Sequence, residues 1–95
     1  MQIPIDKEFF NRSNAYIQLA NAQCDGKIAV ALVNGSFMYG LSRFSAWSTA
    51  ANHPSGESLR THRQEEIDIL VDQFRSMLEG HMDEHIADFD KLMAP

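Results

Sequence analysis

The sequence predicts an all-α fold, a small bundle of three or four helices that forms a single helical domain over residues 1–95. The segment 33–47 carries one charged residue, Arg43, in a chain that is 22% charged. A helix that is apolar on all sides is normally buried, so we expect this one at the centre of the bundle. Apolar residues recur every three or four positions in the segments on either side, which indicates amphipathic helices packed around it.

Helix 1 is predicted from about residue 7 to residue 24. Asp6 is placed to cap its first turn, with Ile5 and Phe10 as a hydrophobic staple across the cap. Gly26 follows the last apolar position and tolerates the left-handed conformation that ends many helices. The apolar stripe consists of Phe10, Ser13, Ile17, Ala20 and Cys24.

Helix 2 is predicted to reach Asn52, but its beginning is ambiguous. A helical period of apolar residues starts at Val30, yet residues 28–33 are also β-rich and precede Asn34-Gly35, a good hairpin turn. We favour the helix, because a two-stranded ribbon by itself is marginally stable in water. In a further alternative Asn34 is the N-cap and the residues before it are extended.

Helix 3 is predicted from about residue 59 to residue 79, after a loop over residues 52–58 that contains Pro54 and Gly56. We favour a break at Gly80, with Asp83 capping a short fourth helix. The alternative is one continuous helix of about 35 residues, roughly 50 Å long. Since a 95-residue globule is only about 32 Å across, its apolar face would then need a second chain.

The composition excludes several classes of protein. No run approaches the roughly 20 consecutive apolar residues of a membrane span, and the first residues lack the pattern of a secretory signal. The single cysteine, Cys24, suits a reducing compartment. We therefore expect a cytoplasmic protein that does not bind membranes.

The charge is divided unevenly along the chain. Residues 64–95 hold nine acidic and two basic side chains, whereas residues 1–63 hold four acidic and six basic ones. The acidic part would repel a phosphate backbone, which disfavours nucleic-acid binding. The opposite signs allow one part of the chain to attract the other, or a neighbouring copy.

Four sequence blocks together resemble a family of short bacterial proteins known only as a domain of unknown function. They are Phe9-Phe10-x-Arg12-x-x-Ala15-x-Ile17-x-Leu19-Ala20-Asn21, Met38-Tyr39-x-x-x-Arg43-Phe44-x-Ala46-Trp47, Arg63-x-Glu65-Glu66-Ile67-x-x-Leu70-Val71-x-Gln73-Phe74-x-x-Met77-Leu78 and Asp83-x-x-Ile86-x-Asp88-Phe89-Asp90. The resemblance implies a helical, cytosolic protein and transfers no catalytic residue. His81 and His85 depart from what is usual in that family.

One candidate metal site lies near the C-terminus. His81 and His85 are four residues apart and would share a helix face, with Asp88 or Glu84 as a third ligand. The simpler interpretation is that both histidines face solvent on an acidic helix.

Two arginines among aromatic residues are candidate anion anchors. Arg12 lies beside Phe9 and Tyr16, and Arg43 beside Phe44 and Trp47. Either guanidinium could bind a carboxylate or phosphate in a pocket between helices 1 and 2. The structural alternative, which we favour, is an ion pair with an acid of helix 3, such as Glu65, Asp68 or Asp72.

The best interpretation of the whole sequence is a non-enzymatic, cytosolic interaction protein that self-associates, most simply as a homodimer. No catalytic residue and no cofactor are expected. The alternatives are a divalent-metal-binding helical protein that uses His81, His85 and Asp88, and a binder of small anionic ligands that uses Arg12 or Arg43.

Overall fold

Four helices make up the fold in the computed structural model, which describes residues 3–95. They are α1 (Phe9–Gln23), α2 (Val30–Ala50), α3 (Gly56–Ala87) and α4 (Phe89–Leu92). No strand is found between residues 3 and 95. The all-α prediction is confirmed, and the hairpin considered for the start of helix 2 is not formed.

The chain divides into two compact units, which are described separately. One consists of residues 4–58 and contains α1 and α2, and the other includes residues 59–95 and contains most of α3 together with α4. The prediction of a single domain over residues 1–95 stays a prediction.

The first turn of α1 is held differently from the prediction. Glu8 occupies the N-cap position and its side chain makes no capping hydrogen bond. The carbonyl of Asp6 accepts a hydrogen bond from the Phe9 amide at 3.1 Å, while its carboxylate pairs with Arg12. Asp6 was therefore wrongly predicted as the N-cap, because its carboxylate is bound by a guanidinium one turn into the helix.

The connection from α1 to α2 turns at Gly26. Its φ of +86° is the only positive value among residues 3–95, in the region that favours glycine. The predicted left-handed glycine is confirmed. The turn is reinforced by the amide of Lys27, which donates to the Asp25 carboxylate at 2.9 Å, and α1 and α2 contact each other across it.

Helix α2 begins at Val30, so Asn34 lies inside it and is not its N-cap. The carbonyl of Ala29 accepts hydrogen bonds from the amides of Leu32 and Val33 and so starts the helical ladder. Val33 is the only buried residue of residues 3–95. It lies on the first turn of α2.

Helix α3 begins earlier than predicted, directly after Ser55. The Ser55 hydroxyl accepts a hydrogen bond from the amide of Ser58 at 3.1 Å, which is the geometry of an N-cap. The loop before it is closed by His53, whose Nδ1 lies 2.9 Å from the hydroxyl of Ser58.

The predicted break at Gly80 is wrong, because α3 continues through Gly80 and Asp83 to Ala87. Gly costs a helix interior only about 1 kcal/mol relative to Ala, which is too little to end a helix that has propagated for several turns. The interruption falls at Asp88 instead, which has φ −116° and ψ 35°. The 32 residues of α3 extend for about 48 Å.

Candidate functional site

Large apolar side chains of α2, the predicted central helix, are exposed. On α2, Phe44 and Trp47 are 66% and 65% exposed, and Phe37 is 40% exposed. The expectation that α2 is interior scaffolding stays a prediction. Within residues 4–58 the reason for the exposure is geometric: α2 is apolar around its whole circumference, and its neighbour α1 covers only one side.

We call the exposed part of this helix the α2 surface, defined by Tyr39, Arg43, Phe44 and Trp47. Tyr39, Arg43 and Trp47 share a face because they are four positions apart, and Phe44 lies beside them, three positions before Trp47. The rings of Phe44 and Trp47 contact each other, with centroids 5.7 Å apart. Arg43 is the only charged residue of α2, and it forms no ion pair or hydrogen bond with any residue that the structure describes.

A second apolar feature lies on α3. It is a groove of about 390 Å³ that runs along the C-terminal half of the helix, and we call it the α3 groove. It is lined by Val71, Phe74, Arg75, Leu78, Glu79, Met82 and Asp83. Phe74, Leu78 and Met82, four residues apart, form one apolar row and are 42%, 42% and 57% exposed.

Carboxylates border this groove. Glu79 and Asp83 each follow a member of the apolar row by one position, so they form a parallel acidic row on the helix surface. Arg75 lies one turn before Glu79. The end of the groove that is lined by Glu79 and Asp83 is therefore negatively charged. Within residues 3–95 neither carboxylate forms a salt bridge.

The candidate anchor Arg12 forms an ion pair with a nearby residue of the same segment, Asp6. Its guanidinium pairs with both carboxylate oxygens of Asp6, one of them at 3.3 Å. The hydrogen bond and charge of Arg12 lower the pKa of Asp6 below its usual value of 3.8, and the same contact raises the pKa of Arg12. Both side chains are about half exposed. The pairing of Arg12 or Arg43 with an acid of helix 3 stays a prediction.

The candidate metal ligands do not form a cluster. His81 and His85 both lie on α3, and Asp88 lies between α3 and α4. The Nδ1 of His85 is 2.8 Å from the carbonyl oxygen of His81. Since a carbonyl only accepts, Nδ1 carries the proton there. No group of three or more metal-ligating side chains is found in the part of the chain that the structure describes.

Sequence reasoning missed the Asp6–Arg12 contact and the α3 groove. The Asp6–Arg12 pair joins a residue before the helix to one inside it, a spacing that helix periodicity does not reveal. The α3 groove was hidden by the predicted break, because a helix that ended at Gly80 would have separated Leu78 from Met82. The signal that could have found it is the four-residue spacing of Phe74, Leu78, Met82 and Ile86.

A family model described as "Protein of unknown function (DUF3144)" matches residues 9–86. The chain belongs to the DUF3144 family. This confirms the resemblance indicated by the four sequence blocks, and the family description assigns no activity. No curated protein matches this DUF3144 chain.

The fold is also similar to that of a solved structure. The NMR structure of the protein NB7890A from a Shewanella species shares 31% sequence identity with the DUF3144 chain. The match covers 95% of each chain with a TM-score of 0.79. The helical fold described above is therefore also found in an experimentally determined structure.

Proposed function

We propose that this protein is a non-enzymatic, cytoplasmic interaction protein that acts as a homodimer. The observation that carries the proposal is the exposure of large apolar side chains on all three long helices. Phe10 on α1, Trp47 on α2 and Met82 on α3 are 66%, 65% and 57% exposed. Monomeric proteins rarely leave apolar side chains uncovered over such wide areas, and exposed apolar surface of this extent is typical of an interface.

The length of α3 is a further argument. At about 48 Å, it exceeds the diameter of roughly 32 Å expected for a globule of this chain length. A continuous helix of this length is the case in which we expected a second chain to cover its apolar face. The apolar row of the α3 groove is part of that face and lies in the C-terminal half of the helix.

The remaining parts of the proposal concern partners and location. No helix between residues 3 and 95 has the length and apolar character needed to cross a membrane. The net charge of −5 disfavours nucleic acid as a partner. We therefore take protein, and first of all a second copy, as the partner.

The test is the mass of the protein in solution over a wide concentration range. Sedimentation equilibrium from about 1 to 300 μM should give twice the chain mass, with dissociation on dilution if the dimer is weak. The unfolding midpoint should rise with protein concentration, because association stabilises the folded chain by mass action. A monomer at every concentration, with a concentration-independent midpoint, would contradict the proposal.

A further inference from the structure

We propose that His81 and His85 form a chelating site for a divalent transition-metal ion, which both imidazoles bind through Nε2. The ion belongs to the class that imidazole favours, such as Zn²⁺, Ni²⁺ or Cu²⁺. The two protein ligands lie on neighbouring turns of α3, and water completes the coordination. The site depends neither on the proposed homodimer nor on any residue outside this helix.

The first argument is the continuity of α3 through Gly80. A break at that glycine would place His81 outside the helix, whereas both histidines lie within the helix Gly56–Ala87. Side chains four positions apart lie on the same face of a helix, with their Cβ atoms about 5–6 Å apart. Two histidines at this spacing on one helix bind a single zinc ion in metalloproteases. The helix backbone therefore fixes the spacing of the two ligands independently of the metal.

The second argument is the orientation of the His85 ring. Its Nδ1 lies 2.8 Å from the carbonyl oxygen of His81, to which it donates. In the neutral imidazole this hydrogen bond places the proton on Nδ1 and the lone pair on Nε2. Histidines that bind metals in proteins commonly donate their other ring N–H to a backbone carbonyl or a carboxylate in this way. The helix thus selects the tautomer of His85 that can bind a metal through Nε2.

The third argument is the charge around the pair. Residues 76–90 hold five acidic side chains and no lysine or arginine. A field of this sign raises the local concentration of cations and stabilises a bound dication.

The acids are not needed as ligands. No group of three or more metal-ligating side chains is found among the residues that the structure describes, and Asp88 lies beyond the end of α3, with φ −116° and ψ 35°. The site therefore differs from the three-ligand site predicted from the sequence, because it consists of the two imidazoles alone.

The experiment measures the binding of Ni²⁺ alone by isothermal titration calorimetry and by the change in Tm. The wild type should bind a single ion per chain and become more stable, because the ion binds the folded helix better than the unfolded chain. In His81→Ala and in His85→Ala the Kd should rise at least about tenfold, because one imidazole replaces a chelating pair. Alanine favours a helix, so both variants should keep their helicity.

Two control variants and a competing ion separate the pair from histidine content and from charge. His62→Ala removes a histidine from the same helix and leaves the pair intact, so it should bind Ni²⁺ like the wild type. The double variant His85→Ala, Ala87→His keeps the number of histidines but moves the second imidazole about 120° around the helix from His81. It should bind as weakly as His85→Ala. An excess of Mg²⁺, which prefers oxygen ligands, should not compete.

Long-range proton–nitrogen NMR of the imidazoles identifies the ligands directly. Without metal, His85 should show a protonated Nδ1, and added Zn²⁺ should shift the Nε2 signals of His81 and His85 but not that of His62. An affinity for Ni²⁺ that survives His85→Ala, that is restored in the double variant, or that Mg²⁺ abolishes overturns the proposal. A wild type that binds no Ni²⁺ overturns it as well.

Discussion

Asp6 and Arg12 form an ion pair that joins the segment before α1 to its first turns. The guanidinium contacts both carboxylate oxygens, and this contact is the largest cause of the lowered pKa of Asp6. The pair is solvent-exposed on both sides, so salt should screen it.

The first prediction concerns the pH dependence of that pair. Because the folded-state pKa of Asp6 lies below its usual value of 3.8, the pair stabilises the folded chain fully above that value. The stabilisation is lost as the pH falls through the lower folded-state pKa. Asp6→Asn should therefore lower the Tm slightly at pH 7 and leave it unchanged below the folded-state pKa. Thermal unfolding of both proteins from pH 7 to pH 2 checks this, and a difference that persists at the acid end would contradict it.

The second prediction concerns the continuity of α3. Gly80→Ala should raise the free energy of unfolding by about 0.5–1 kcal/mol, because Ala is the better helix former and nothing lies within 4 Å of the added Cβ. The matched variant Gly26→Ala should be destabilising, because Gly26 has a φ of +86° that alanine adopts only with strain. Urea denaturation measures both. A destabilising Gly80→Ala would mean that another backbone approaches Gly80 in the assembly.

The third prediction concerns the start of α3. Ser55→Ala removes the hydroxyl that accepts a hydrogen bond from the Ser58 amide and should cost about 1 kcal/mol of stability. Ser42→Ala is a suitable control, because its hydroxyl donates to the Tyr39 carbonyl within α2, where alanine is favourable. Equal losses in the two variants, measured by urea denaturation, would show that Ser55 is not a cap.

The fourth prediction uses the single tryptophan as a probe of association. Trp47 is 65% exposed in the isolated chain and is expected to be covered in the dimer. Its fluorescence emission should shift to longer wavelength as the protein is diluted through the Kd. An emission maximum that stays at the wavelength of exposed tryptophan at every concentration would place Trp47 outside the interface.

A fifth prediction compares Trp47 with Val33. Trp47→Ala should weaken association by about 2 kcal/mol or more, as aromatic residues at the centre of interfaces do. Val33→Ala removes buried methyl groups on α2 and should cost about 1–2 kcal/mol of folding stability. Sedimentation equilibrium and urea denaturation of both variants distinguish the two effects. If Trp47→Ala left the Kd unchanged, the α2 surface would not be part of the interface.

Much of the local structure was predictable because it depends on neighbours within a few residues. The left-handed Gly26, a loop before α3 and the helical period from Val30 were correctly inferred, although the loop ends at Ser55 and not at residue 58. The continuation of α3 through Gly80 was not correctly inferred, because the free energies of ending the helix there and of continuing it differ by only about 1 kcal/mol. A difference of that size is decided by the rest of the molecule. The Asp6 carboxylate likewise had two competing partners, the helix amides and Arg12, and periodicity did not choose between them.

The sequence by itself determined that this chain is helical, where its turns fall and that its longest apolar segment needs cover. Only the tertiary structure decided that α3 runs unbroken to Ala87 and that Phe44 and Trp47 stay exposed in one chain. The physical reason is that helix formation depends on contacts three and four residues apart. Burial depends on which surfaces meet over long separations, which the spacing of residues along the chain does not reveal.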